Sequence, residues 1–417
     1  MQYERKLTFK YSLLQWTFWM IAASAMAFLT PILEAKGFSA AEIGVLNTFK
    51  YISVMVFQLL LGSFADRHVE TVPLKTIINL LSVVGLLATI LFLSIGNAFW
   101  LAVIVVILFG ATIHCLEPMI DALSLHYMNS GRRLNYTFSR AAGSASWALF
   151  CILLGILSER RGMNALLVYQ AISLGLMVII NTGMDKVDVH SYTRRHLKEK
   201  KDDRPRSVWE LIRDFPKYRC YLFACLFIFA GFSMNTLFIV DKIHYLGGTQ
   251  FEYGLIQFVI AAAEIPLAIF FYRVRKKISL EHLMVLMGIF CVIRAFATAV
   301  AASVPVLILV QGFELLGLSV YYAGSVFFIQ KYLPEADAVK GTSMVNLFAN
   351  GIGNAVASTA SGAIYSHFGF DALMTTSIVI SAVSLVFLNR MLKVPAHTGE
   401  KAWLCSKETC RIDGKRV

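Results

Sequence analysis

Long apolar runs broken by short polar turns recur along the whole chain. Twelve fall at residues 11–33, 43–65, 76–95, 99–127, 138–157, 164–184, 219–241, 251–272, 282–301, 304–332, 342–366 and 370–390. At ~1.5 Å rise per residue each is long enough to cross the ~30 Å hydrocarbon layer of a bilayer. Each also carries fewer charges than the polar face of a soluble amphipathic helix requires. The pattern predicts an all-α integral membrane protein with twelve transmembrane helices. It shows no cleavable signal peptide, because the first run is too long and no small-residue cleavage site follows a short apolar core.

One long polar stretch, Asp185 to Arg219, separates six spans from six and contains the charge run Arg194 to Asp203. The division predicts two six-helix bundles, residues 1–184 and 219–392, joined by a cytoplasmic linker at 185–218 and followed by a basic tail at 393–417. Paired bundles of this kind hold substrate at the midplane between them. Within the linker, Ser207 to Arg213 predicts a short interfacial helix.

Composition agrees: a mean hydropathy of +0.65 with 57% hydrophobic and 15% charged residues excludes a soluble domain. A net charge of +12 would admit a nucleic-acid partner, but its distribution does not. Of the 38 Lys and Arg, only Lys36, Arg160, Arg161 and Lys242 fall on the outer side, with Lys50 and Arg294 inside spans. The rest lie on the side of both termini. That predicts a multi-pass protein of the cell (inner) membrane with both termini cytoplasmic. Anionic headgroups account for the inner excess, and no nucleic acid is needed. Five of the seven Cys fall in or beside spans, while Cys405 and Cys410 form a lone pair in the tail. A structural zinc site needs four ligands, so no metal centre is expected, and reduced thiols fit a cytosolic tail. No H-E-x-x-H, G-x-S-x-G or P-loop is present, and no catalytic residue is assigned.

Charges inside the spans carry the chemistry. Arg294 lies about nine residues before the turn at 302–304 and Glu314 about eleven after it, so both sit ~14–16 Å deep, near the middle of the membrane. A charge there needs a partner or a water-filled cavity. Glu264 of the eighth span joins them, and Gln311 and Tyr321 share the face of Glu314. A carboxylate whose protonation depends on whether a nearby Arg is engaged is what proton coupling requires; the same residues also suit a static neutral pair.

In the first half His114, Glu117 and Asp121 share one face of the fourth span, and Arg140 and Trp147 one face of the fifth. Asp121 and Arg140 lie at similar depth, an expected pair that either pins two helices or exchanges partners for a ligand. Trp147 is either an apolar plate for a sugar ring or an ordinary bundle-filling aromatic. Asn346, Asn350 and Asn354, at i, i+4 and i+8, either bond between helices or line a cavity. Lys50 and Asp241 are weaker signals, the latter able to snorkel.

Gly62 to Arg67, with Ala65-Asp66-Arg67 at its end, resembles the G-x-x-x-D-R/K signature of the major facilitator superfamily. The resemblance implies a gating role for Asp66 and Arg67; a looser second copy runs from Tyr272 to Lys277. Within the superfamily, Ile43-Gly44 with Gln58, Gly62 and Asp66 is similar to the second span of the lactose permease group of oligosaccharide:proton symporters. Arg132 to Arg140, Gly143 and Trp147-Ala148-Leu149 resemble that group's fifth span, which implies sugar binding by Arg140 and Trp147. Its acidic partner in the fourth span has Asp121 nearest, one position out of register, and Arg294 matches its coupling Arg. Glu314 stands where the group has a His, Gly317 replaces its proton-carrying Glu, and Gln311 and Asn350 replace two buried lysines.

The expectation is a monomeric secondary transporter working by alternating access. It takes up a sugar or small oligosaccharide with protons, driven by the proton gradient without a cofactor. Asp121, Arg140, Trp147, Glu117 and Asn350 would hold substrate, and Arg294, Glu314 and Glu264 would couple protons. Uptake of an aromatic acid or nucleoside, or drug or sugar efflux, is the alternative. A membrane receptor or intramembrane enzyme is the alternative of another class.

Overall fold

The structure, a computed structural model, describes residues 2–68, 71–185 and 207–394. The charge run at 194–203 and the Cys405–Cys410 pair lie outside the described residues. Nine helices are long and apolar enough to cross a membrane among the described residues, and two bent pairs raise that to eleven. The longest of the nine, Lys340–Lys393, would run ~80 Å as one rod, over twice the hydrocarbon thickness. It is two helices meeting at Gly369, whose φ of 81° and ψ of 179° suit a residue without Cβ. That division yields the predicted twelve.

Spans 1 to 3 are Lys6–Ala27 continued by Leu29–Ala35, then Ala40–Arg67 and Leu74–Ser94. Spans 4 to 6 are Phe99–Asn129, Tyr136–Arg161 and Asn164–Thr182. Spans 7 to 9 are Pro216–Tyr245, Gln250–Lys277 (bent by 56° after Leu267) and Leu280–Val300. Span 10 is Val304–Tyr332, and spans 11 and 12 divide Lys340–Lys393 at Gly369. Local chemistry starts several of them. Ser39 and Glu42 form a reciprocal capping box at span 2, and Thr249 and Glu252 do so at span 8. The expected linker helix is Val208–Asp214, opened by the Ser207–Glu210 box with Trp209 72% exposed.

Spans 1, 4, 7 and 10 hold the same place in successive triplets, and each is interrupted. Span 1 has a π-helical turn at Ala23–Ala27 and leaves helical geometry at Phe28. Span 4 breaks at Thr112 and span 7 at Phe238. Span 10 tightens to a 3₁₀ turn at Gln311–Leu315 and breaks at Gly317. Backbone freed inside a membrane survives only where protein or a cavity satisfies it, so these four line the interior.

The side bearing the start of span 1 and the end of span 12 is termed the terminal face, and the other the distal face. One apolar core covers the first half and continues into the distal ends of the second through Met234, Phe238, Tyr253, Leu307, Ala357 and Leu373. The terminal-side parts of the second half form a separate core around Tyr221, Phe271, Met284, Phe328 and Leu388. The halves are therefore fused distally and apart at the terminal face.

Candidate functional site

Hydrogen bonds joining the halves cluster toward the distal side. Tyr253 donates to the Ala27 carbonyl at 2.6 Å, Thr48 donates to the Ala355 carbonyl at 2.7 Å, and Phe251 N–H donates to Glu159 at 2.7 Å. Gly44 and Gly362 let spans 2 and 11 touch backbone to backbone, since a Cβ on either would collide with the other helix. Deeper in, the side chains of Arg140 and Glu117 are 36% and 39% exposed. Mid-span charges cannot be exposed to lipid, so they face a water-filled cleft. Distal closure leaves that cleft open at the terminal face.

On the first-half wall, Pro118 lies inside the span 4 helix and cannot donate to the His114 carbonyl. Gln58 of span 2 donates to that carbonyl instead, at 3.2 Å. The next turn presents Glu117 to Arg140, Nη2 to Oε1 at 3.9 Å. Arg140 also donates to Ser144 at 3.2 Å, and its guanidinium carbon lies 4.4 Å from the centre of the Trp19 ring. Trp19 meets Trp147 edge to face at 5.7 Å, and its buried Nε1 has no hydrogen-bond partner among the described residues. Gly143 makes room for it, since a Cβ there would collide with the indole.

The expected Asp121–Arg140 ion pair does not form. Asp121 turns away from Arg140, and its Oδ1 accepts from Gln15 of span 1 at 3.0 Å and from Tyr136 at the start of span 5 at 3.1 Å. Gln15 also donates to the Tyr11 hydroxyl at 3.0 Å, which in turn donates to the Ile120 carbonyl. These neutral donors hold Asp121 against the helices and leave Arg140 to Glu117. Trp19 was not singled out from the sequence, because an aromatic in an apolar run carries no signal until its neighbour is known.

The second-half wall holds the deeper charges. Arg294 and Glu314 are both buried, with Nε to Oε2 at 3.6 Å. Gln311 is the stronger partner, its Oε1 accepting from Arg294 Nε at 3.0 Å and Nη2 at 2.6 Å. The Gln311 amide donates to the Leu307 carbonyl at 3.0 Å and to Thr298 at 3.3 Å. Glu314 Oε2 is buried without a hydrogen bond among the described residues. The 3₁₀ turn places Gln311 and Glu314 side by side where a continuous α-helix would rotate them further apart. The space beside Arg294, lined by Phe232, Asn235, Cys291 and Ser381, is about 10 Å³. A proton can enter it; a substrate cannot.

Glu264 forms no ion pair or hydrogen bond among the described residues and interacts electrostatically with Glu314 and Arg140. Tyr322, 54% exposed, lies in the fields of Glu264, Glu314 and Glu117. It is a further residue the sequence did not single out. With Asp121, whose charge also acts on Arg140 and Glu117, the carboxylates here outnumber the two guanidiniums.

Other expected residues fall elsewhere. Asn346, Asn350 and Asn354 do not share one environment. Asn346 accepts from Tyr321 of span 10 at 2.9 Å, and after it a π-helical turn at Leu347–Gly353 shifts the register, leaving Asn350 exposed and Asn354 buried, donating to the Asn350 carbonyl at 3.2 Å. Asp66 and Arg67 end span 2, both exposed, with no ion pair among the described residues. Lys50 is buried, donating to Asn47 at 2.8 Å over the Tyr51 ring. Asp241 does not snorkel freely; with Glu34, Phe38 and Tyr365 it lines a distal cavity of about 320 Å³. The described residues contain no cluster of three metal-ligating side chains.

A family model described as the MFS_1 like family matches residues 9–376. No curated protein matches the sequence. Among solved structures, a mutant of the nucleoside transporter NupG superposes with a TM-score of 0.78 at 12% identity, covering 93% of this chain and 99% of that one. A second NupG structure gives 0.72 at 14% identity, covering 93% and 98%. An auto-inhibited POT family peptide transporter gives 0.65 at 10% identity, covering 92% and 96%. At these identities the likeness establishes the fold.

Proposed function

The chain belongs to the MFS_1 like family, and from that premise we propose that this secondary transporter takes up a sugar-bearing substrate together with a proton. It is a multi-pass membrane protein whose cargo is a small molecule, and not an enzyme. The observation that carries the coupling is the division of labour around Arg294. Gln311 takes its two short hydrogen bonds, while Glu314 stands 3.6 Å away with a buried oxygen unbonded. Arg294 thus keeps a partner whether Glu314 is charged or protonated. Carboxylates outnumber guanidiniums around the cleft, an imbalance that a proton on Glu314 lessens.

Substrate occupies the wider, partly exposed wall. Its hydroxyls reach Arg140 and Glu117, whose long ion pair yields donors and acceptors readily. Its C–H face packs on Trp147 and Trp19. Asp121 acts from behind, ordering Tyr136 and span 1, and Asn350 offers an exposed amide from span 11. A free sugar or small oligosaccharide is the first reading, in keeping with the lactose permease-like patches. A nucleoside is the second, favoured by the paired indoles, which would stack a base. The NupG likeness leaves that open.

The charge bias supports a cytoplasmic terminal face, and on that reading this is the inward-open state of an alternating-access cycle. Asp66 and Arg67 form no ion pair among the described residues and would engage when the terminal face closes. The test is binding to purified protein, read by quenching of tryptophan fluorescence with sugars and nucleosides. Quenching by one class, lost in Arg140→Ala with the protein still folded, supports this site. Unchanged affinity in that variant removes it.

A further inference from the structure

At the distal face a carboxylate from one half caps a helix of the other. Span 8 begins at Gln250, and its first four N–H groups have no partner within the helix. The local box binds Thr249 to Glu252, Thr249 N to Oε2 at 2.8 Å, and spends its own chemistry there. The Phe251 N–H is left over, and Glu159, in the last turn of span 5, accepts from it at 2.7 Å. The two helices approach closely because Gly155 and Gly254 carry no Cβ. A methyl on Gly155 would strike the Gln250 carbonyl, and one on Gly254 the Cys151 carbonyl.

Resting on the alternating-access reading above, we propose that Glu159 is a positioning residue of the transport cycle. Its carboxylate caps span 8 only while the distal face is closed, and so sets how much of the protein waits in that state. The interaction unites a charge-assisted hydrogen bond with the positive end of a 28-residue helix. Opening the distal face breaks it, while Oε2 of Glu252 stays with Thr249. Glu159 lies far from the cleft, so it acts through the halves and touches no substrate.

The experiment is a spin-label distance between Arg161→Cys and Tyr245→Cys in lipid nanodiscs, with Cys405 and Cys410 replaced by serine. Both labelled positions are exposed, one in each half. Gly254→Val, which wedges the same contact apart, marks the long distance. Glu159→Ala should raise the ratio of long to short distances about tenfold, the scale of one lost charge-assisted hydrogen bond. Glu159→Gln, which keeps an acceptor oxygen, should stay within about threefold of the parent, and thermal unfolding should differ little between the two. If the wedge lengthens the distance and Glu159→Ala does not, the proposal is overturned and alternating access stands. If the wedge itself changes nothing, the moving-halves reading fails and the proposal with it.

Discussion

Arg294 gives two donors to one oxygen of Gln311 and leaves the carboxylate of Glu314 at 3.6 Å. A buried Arg bound mainly to a neutral amide tolerates both charge states of its acidic neighbour, which a tight bidentate ion pair does not. Coupling then depends on Gln311 as much as on either charge.

Gln311→Leu should push Arg294 fully onto Glu314 and fix that carboxylate as charged. Counterflow exchange of labelled substrate should persist, and uphill accumulation should fall about tenfold or more, the scale of one lost hydrogen bond to a charge. Full accumulation in this variant would show that Arg294 is not the switch.

Glu117→Gln and Asp121→Asn separate the binding wall from its support. Glu117 faces the cleft beside Arg140, so its variant should weaken substrate affinity about tenfold with thermal stability little changed. Asp121 is held by Gln15 and Tyr136, so its variant should lower the unfolding midpoint more than the affinity. The reverse outcome would restore Asp121 as the contact for substrate.

Gly143→Val should drive Trp19 from beneath Arg140, because even the first added carbon overlaps the indole. Tryptophan emission should shift and substrate quenching should vanish while the protein still inserts. Retained quenching would place the substrate off this aromatic wall.

Much of this fold was legible in the chain because membrane spans announce themselves: length, scarcity of charge and the Lys/Arg bias together yield twelve. The Arg294–Glu314 contact was legible because the turn between spans 9 and 10 is short and fixes relative depth. Asp121 misled because depth is not direction; its side chain found neutral donors in Gln15 of span 1 and in Tyr136, one turn before Arg140 on span 5. The asparagine row split: Asn346 accepts from Tyr321 of span 10, an interhelical bond of the kind expected, while the π-helical turn after it separates the surroundings of Asn350 and Asn354. Trp19, Tyr322 and the Glu159 cap were hidden for one reason, that each matters through a neighbour from a remote part of the chain.

The central claim is that a proton moves with the substrate through Glu314. The direct measurement is the external pH of lightly buffered, de-energised cells expressing the protein, on adding sugars and then nucleosides. Alkalinisation with one substrate class, abolished in Glu314→Gln while counterflow exchange continues, is the predicted result. Alkalinisation that survives Glu314→Gln, or silence across both classes in cells containing the protein, would contradict it.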